Sequence, residues 1–329
     1  MKRWTEAWNA YVRARAAAWR TGAFDGLEPL YADPAPWRRE QERWERIAAQ
    51  RRERGLVPVT GGEWPVRMRV EHEGGETVAV TARLFRRLVW RAGWREWVEE
   101  GIEERTVHLV RVGKRWAVVG DEVLGVEGRG GTRNRSGHRQ PAAGFVLAVD
   151  ERARNTTLAV PVRQNAPAYD REAAVAYAER WWNGYNPRFR RFADDCTNFL
   201  SQCLLAGGAP MRDTGNRATG WWYRWTGAHL WSYSWAVANS LRWYLPIGHR
   251  GLRGIPVENP RELLPGDVIC YDFEGDGRWN HTTLVVAKDG QGMPLVNAHT
   301  TNSRRRYWDY RDSYAWTPQC RYAFFRISV

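Results

Sequence analysis

Nowhere in its 329 residues does the chain place 18 apolar residues in a row, which leaves no candidate for a membrane-spanning helix. The amino terminus, "MKRWTEAWNAYVRARAAAWRTG", interleaves charges where a secretory signal would carry an apolar stretch. As it stands the chain is expected in the cytoplasm, with export after removal of a leader, or association with spores, as the alternatives. Cysteine is scarce: four residues, scattered and without a CxxC pair, which argues against a disulfide framework and against a zinc ribbon. Acidic residues are outnumbered 37 to 50 by basic ones, giving a net charge of +13. Such a balance suits an anionic partner: nucleic acid, a wall polymer or a membrane surface. No RNA-recognition, zinc-finger or phosphate-loop signature accompanies the charge, so nucleic acid is not expected. The basic residues are mostly Arg and are matched locally by Glu, as in "WRREQERWERIAAQRRERG". That spacing predicts a solvated helix face laced with i,i+4 pairs, with contact to an anionic surface as the lesser option.

What is present is an ordinary globular balance, 43% hydrophobic and 26% charged, with an unusual 21 tryptophans. The length allows two domains. Trp4, Trp8, Tyr11 and Val12 recur at helical spacing, and a charged helix follows through about Arg54. After "GLVPVTGGEWP", taken as a break, the period changes to two. "VRMRVEHE", "ETVAVTARLFRRLVW", "EERTVHLVRVG" and "RWAVVGDEVL" predict antiparallel strands, with Gly113-Lys114 at a hairpin turn. "GRGGTRNRSGHRQP" has linker composition, and "AAGFVLAVDERARNTTLAVPV" suits another strand pair. A new helix begins in "YDREAAVAYAERWWNGYN". The expected organisation is α+β throughout. Residues 1–127 form helices and a curved antiparallel sheet, 128–167 a basic Gly/Arg-rich linker with connecting strands, and 168–329 a second domain.

Two cysteines share one predicted helix in "DDCTNFLSQCLLAGGAP". Asp194, Asp195 and Thr197 supply N-cap chemistry, and Gly207-Gly208 ends the helix. Phe199, Leu200, Cys203 and Leu204 make an apolar stripe, so Cys203 is expected to be packing. Cys196 lies at the first turn, where exposed N–H groups and the helix dipole favour a thiolate. The two are seven residues apart, about 10 Å along a helix, beyond the roughly 7 Å that a disulfide tolerates. A nucleophilic cysteine needs a base. Of seven histidines, His72, His108 and His138 fall in the first half or the linker, and His229 and His249 in loops. His281 opens the strand "HTTLVVAKDG", and His299 follows in "PLVNAHTTN" with Leu295 and Asn297 on its face. Adjacent strands would then present His281 and a second polar group toward one helix end.

The stretches "DDCTNFLSQCLLAGGAPM", "GWWYRW", "WSYSWAVANSLRWYL", "LLPGDVICYDFEGDGRWNHTTLVV" and "VNAHTTNSR" together resemble the putative amidase domain family of bacteria, over about residues 168–328. The family is a branch of the papain-like cysteine peptidases, related to NlpC-type and CHAP cell-wall amidases. The resemblance implies a papain-like domain in which a cysteine-bearing helix packs on an antiparallel sheet. It implies Cys196 as nucleophile, His281 as base and His299 as the third polar residue, with Asn297 second choice and Asn302 third. Asp195, Asn198 and Ser201 would support the helix. The substrate class implied is a peptide or cell-wall amide, cleaved through an acyl-enzyme without a cofactor. The first half resembles, in pattern alone, the cone-shaped nuclear-transport-factor-like domains, which bind a ligand in the cone or pack on a neighbour.

Other features carry competing readings. "DFEGDG" opens like a calcium loop, but its closing acidic position would fall at Thr283, which favours a polar hairpin. Aromatic clusters offer a groove for glycan or peptide, with Trp222 and Trp235 placed nearest the cleft. Cys270 and Cys320 are both expected in strands. Two functions compete with the enzyme: a non-catalytic peptide- or glycan-binding module on the same fold, and a zinc site built from Cys196, His281 and His299.

Overall fold

The computed structural model describes residues 3–127, 169–248 and 251–329. The expected linker and its strand pair, His138 and His249 lie outside the described residues. The fold is α+β, with helices packed on one large antiparallel sheet.

Helix α1 (Arg3–Thr21) turns Trp4, Trp8, Tyr11 and Trp19 into one core, as their spacing predicts. Helix α2 (Pro34–Glu53) starts at Asp33, whose side chain caps the Ala35 N–H. It adds Trp37, Trp44 and Ile47 to the same core. Four strands follow: β1 (Val57–Glu73), β2 (Thr77–Ala92), β3 (Arg95–Val112) and β4 (Arg115–Leu124). The stretch taken as a break, "GLVPVTGGEWP", is instead the start of β1. Register shifts at Pro58/Thr60 and Pro65/Arg67 let the prolines sit in an edge strand without spoiling the ladder. The hairpin at Gly113-Lys114 forms as expected, with Gly113 at φ 62°.

In the second half, α3 (Arg171–Trp181) is capped by Asp170, and α4 (Cys196–Ala206) ends at Gly207-Gly208. Short pieces follow: β5 (Tyr223–Arg224), β6 (Leu230–Trp231), α5 (Tyr233–Ala236) and α6 (Ala238–Tyr244). The remaining strands are β7 (Arg253–Val257), β8 (Val268–Asp272), β9 (His281–Lys288), β10 (Pro294–Ala298), β11 (Ser303–Tyr307) and β12 (Arg321–Ser328). Their order in the ten-stranded sheet is β1-β2-β3-β11-β10-β9-β8-β12-β7, with β4 on β3. The sheet therefore runs through both halves, joined where β11 pairs with β3 at Ser303–Gly101 and Arg304–Glu100. Cys320 falls in the turn before β12 rather than in a strand. No helix among the described residues is long and apolar enough to cross a membrane.

The charged face expected on α2 is only partly solvated, because Glu40, Arg43 and Arg51 are buried. Glu40 and Arg43 enter a network between the halves. Arg105 pairs with Glu40 at 3.0 Å, Arg15 with Glu63 at 2.7 Å, and Arg43 with Glu103 at 3.2 Å. The Tyr314 hydroxyl, from the second half, donates to Glu40 at 2.6 Å. A planar guanidinium with five donors can satisfy several buried acceptors at once, which explains the preference for Arg over Lys. Two small cavities lie along this junction, each of about 20 Å³, room for roughly one water.

Candidate active site

Helix α4 lies against β9 and carries its apolar stripe inward: Phe199, Leu200, Cys203 and Leu204 are all buried. Cys203 is packing, as its position in the stripe predicts. Burial raises its thiol pKa well above the ordinary value.

Cys196 begins the helix and is 5% exposed. Its sulfur lies 3.7 Å from the Thr197 hydroxyl and takes a hydrogen bond from the backbone of Thr282, the residue after His281. Thr197 and Thr282 join hydroxyls at 3.2 Å, pinning the helix start to β9. The helix terminus was expected to favour the thiolate. Instead burial dominates and raises the Cys196 pKa, with the Thr197 and Thr282 hydrogen bonds opposing it and Asp194 and Asp195 adding to it. The resting group is therefore a thiol.

His281 is fully buried. In β8–β9 register it faces Tyr271, while Thr282 faces Cys270. Cross-strand partners share a face and neighbours alternate. Thr282 meets α4, so the His281 ring lies on the opposite face, against Tyr271, Phe273 and Tyr310. This corrects the expectation that His281 points at the helix end: its neighbour's backbone reaches the thiol, and its ring packs behind. Nε2 meets the Tyr310 hydroxyl at 3.1 Å, and Nδ1 is buried without a hydrogen-bond partner among the described residues. Burial lowers the His281 pKa to about 4, with Glu127 opposing and Arg306 reinforcing the shift. The ring is neutral at pH 7.

His299 has a different environment. Nδ1 meets Asp195 Oδ2 at 2.8 Å, Nε2 meets the Trp181 carbonyl at 2.8 Å, and the ring stacks on Phe199 at 4.0 Å. Both ring nitrogens are thus taken up by oxygen partners. His299 has no nitrogen left for His281 and does not occupy the third position expected of it. Asn297 accepts from the Arg305 N–H at 2.8 Å and approaches Glu179. Asn302 offers its carbonyl to Ile102. The ring partner of His281 is Tyr310, which sequence reasoning missed. It lies in an irregular stretch after β11, where no periodicity marks it.

The supporting residues knit the loop before α4. Asp195 sits at the N-cap position, but its Oδ1 accepts from the Phe192 N–H and from Asn198 Nδ2 rather than from the helix backbone. Asn198 also donates to the Arg190 carbonyl at 2.9 Å and accepts from Trp235 Nε1 at 2.9 Å. Ser201 donates to the Trp235 carbonyl at 2.8 Å and accepts from Trp221. Trp235 and Trp222 are thus core, 0% and 1% exposed, and line no groove. Their indole N–H groups find partners inside, which lets such large rings be buried outright. In "DFEGDG", Asp272 accepts from the N–H groups of Gly275, Asp276 and Gly277, so the loop folds on its own carboxylate. Among the described residues no group of three His, Cys, Asp or Glu could hold a metal ion. The zinc reading also fails because His299 is committed to Asp195 and Trp181.

The model of a family described as "Putative amidase domain" matches residues 168–325. The description supports an amidase-type hydrolase. Among curated proteins, "Uncharacterized protein YhbB" of Bacillus subtilis (strain 168) is 61% identical over 159 residues, 48% of this chain and 50% of YhbB. "Uncharacterized protein YjcM" of the same strain is 27% identical over 165 residues, 47% of this chain and 37% of YjcM. The matched part of the chain thus spans half or less of these relatives. The solved intermembrane space region of the chloroplast protein ARC6 aligns at 13% identity and a TM-score of 0.23, over 38% of this chain and 97% of that one. That likeness is too slight to carry an argument.

Proposed function

We propose that the chain is a cysteine-dependent amidase, in which Cys196 is the nucleophile and His281 the base. One observation carries the reading. The thiol at a helix start is bound to the backbone one residue from a buried neutral imidazole whose Nδ1 has no partner among the described residues. A buried polar atom left unpaired costs about 1–3 kcal/mol, so its retention calls for a role. A cysteine helix packed on an antiparallel sheet also agrees with the papain-like arrangement that the resemblance implies.

The resting pair is thiol and imidazole rather than thiolate and imidazolium. Because the His281 ring packs on the face of β9 away from α4, catalysis requires thiol and imidazole to be brought to one side of the strand when substrate binds. Nδ1 takes the Sγ proton as sulfur adds to the amide carbonyl. The oxyanion lies at the α4 terminus, near the Cys196 N–H. The imidazolium then gives its proton to the leaving amine as the C–N bond breaks. Water, deprotonated by His281, hydrolyses the thioester and restores the thiol. The substrate class is a peptide amide, with cell-wall peptide the first to test.

The test is amine release from peptidoglycan-derived peptides by the wild type, Cys196→Ala and Cys203→Ala. Cleavage by the wild type and Cys203→Ala, with none by Cys196→Ala, is the expected result. Equal cleavage by Cys196→Ala would refute the assignment. Peptide binding without cleavage by any of the three would favour the binding module, which the closed, protonated Cys196 also suits.

A further inference from the structure

Glu127 lies three residues beyond the end of β4 and outside the residues matched by the amidase family. It is nevertheless 2% exposed and faces the back of the candidate site. We propose that Glu127 is a positioning residue for His281, acting through Arg306 and Tyr310, so that the first half of the chain completes the catalytic machinery of the second. This rests on the reading of His281 as the base.

The chain of contacts is continuous. Glu127 Oε1 accepts from Arg306 Nη1 at 2.8 Å, and its Oε2 accepts from the Ser313 hydroxyl at 2.9 Å. Arg306, itself 4% exposed, spreads its Nε over both oxygens of Asp312 at 3.0 and 3.1 Å. Its guanidinium lies 3.8 Å from the centre of the Tyr310 ring. Tyr310 places its hydroxyl on His281 Nε2. One carboxylate from the first half thereby holds both ends of the turn that carries Tyr310.

That turn needs holding. Tyr310 has φ 56°, a left-handed conformation uncommon for a bulky side chain and kept only where surroundings enforce it. The enforcing contacts are the tilted ring contact with Tyr271 at 4.8 Å, the Arg306 guanidinium, and the Ser313 N–H on the Tyr310 carbonyl at 2.8 Å. The Thr301 hydroxyl reaches the Gly125 carbonyl at 3.2 Å, so the segment before Glu127 is fastened to the second half as well. Among the described residues Tyr310 supplies the only hydrogen bond to the ring, and Nδ1 is free to accept a proton only in the tautomer whose Nε2–H donates to the Tyr310 oxygen, so the contact that holds Tyr310 bears on that tautomer. The charged and titratable groups around His281 are Tyr271 on β8, Tyr310 after β11, Arg306 on β11 with Asp312, and Glu127.

The test uses the full chain and two near-isosteric variants, Glu127→Gln and Tyr310→Phe, each checked for an intact thermal transition. Ring nitrogen-15 shifts of His281 at pH 7, assigned by the signals lost in His281→Ala, report the tautomer without reference to activity. Both variants are expected to lose the wild-type tautomer pattern and to lower kcat on cell-wall peptide by roughly tenfold to a hundredfold with KM kept. Glu127→Asp should recover part of each effect. An unchanged His281 tautomer in both variants would overturn the proposal, whatever happens to stability. Full activity in His281→Ala would instead refute the base assignment and leave the positioning measurement standing on its own.

Discussion

Two buried histidines, His281 at the start of β9 and His299 in the turn just after β10, differ in one respect that decides their roles. His299 spends both ring nitrogens on oxygen partners, Asp195 and the Trp181 carbonyl. His281 spends one on Tyr310 and leaves the other unpaired among the described residues. A fully satisfied imidazole is a structural clamp, here holding the loop that delivers Cys196. An imidazole with a free nitrogen in a dry site keeps the capacity to take a proton. Burial does not distinguish them; the hydrogen-bond inventory does.

The largest effect that would break this comparison is on activity. His281→Ala is expected to lower cleavage of cell-wall peptide by about 10³-fold or more. In the same assay His299→Asn should lose activity only in step with its loss of folded protein. A wild-type rate in His281→Ala, or an equally inactive but fully folded His299→Asn, would reverse the assignment of roles.

The next effect is on stability. His299→Ala removes the partner of the buried Asp195 Oδ2, and urea unfolding should show a loss of about 1–3 kcal/mol from that unpaired oxygen, plus the lost packing on Phe199. His281→Ala removes a ring that has one hydrogen bond and no ionic partner, so its cost should be smaller and come mainly from packing.

Acid sharpens the contrast further. The folded His281 pKa is depressed to about 4 against an ordinary 6.5, so below pH 6.5 the unfolded chain binds the proton first. The contribution is fully present above that pH and declines as pH falls toward 4. It amounts to about 2 kcal/mol between pH 7 and pH 5. The wild-type unfolding free energy should fall over that interval, and His281→Gln should flatten the fall by that amount. An identical pH slope in both proteins would contradict the neutral buried ring.

The smallest effect separates the two thiols of α4. Cys203→Ala deletes one buried sulfur, for about 1 kcal/mol of stability, and should leave turnover unchanged. A Cys203 variant that folds but does not turn over would undo the division between packing and chemistry.

Much of this was legible in the sequence, and the limits have physical causes. Trp4, Trp8 and Tyr11 at helical spacing, and Phe199 to Leu204 before Gly207, announced α1 and α4 because one-sided burial imposes its period on the residues. Cys196 at a helix start could be read from Asp194, Asp195 and the stripe behind it. What could not be read was the face on which His281 lies, since alternation fixes relative sides but not which side meets the helix. Nor could Tyr310 be found, because its conformation is imposed by Arg306, Tyr271 and Ser313, contacts made by folding. The Arg/Glu run of α2 was misread in part for the same reason: spacing alone does not show that Glu40 and Arg43 meet partners from β3 and the last loop.

The most direct test of the central claim is the rate at which iodoacetamide alkylates each of the four free thiols at pH 7, followed by peptide mapping in the wild type and in His281→Ala. Cys320, half-buried and remote from His281 in sequence, serves as the internal control. The account predicts that labelling at Cys196 slows by at least about tenfold in His281→Ala while Cys320 keeps its rate. Equal Cys196 rates in the two proteins, with the Cys320 rate also unchanged, would contradict it.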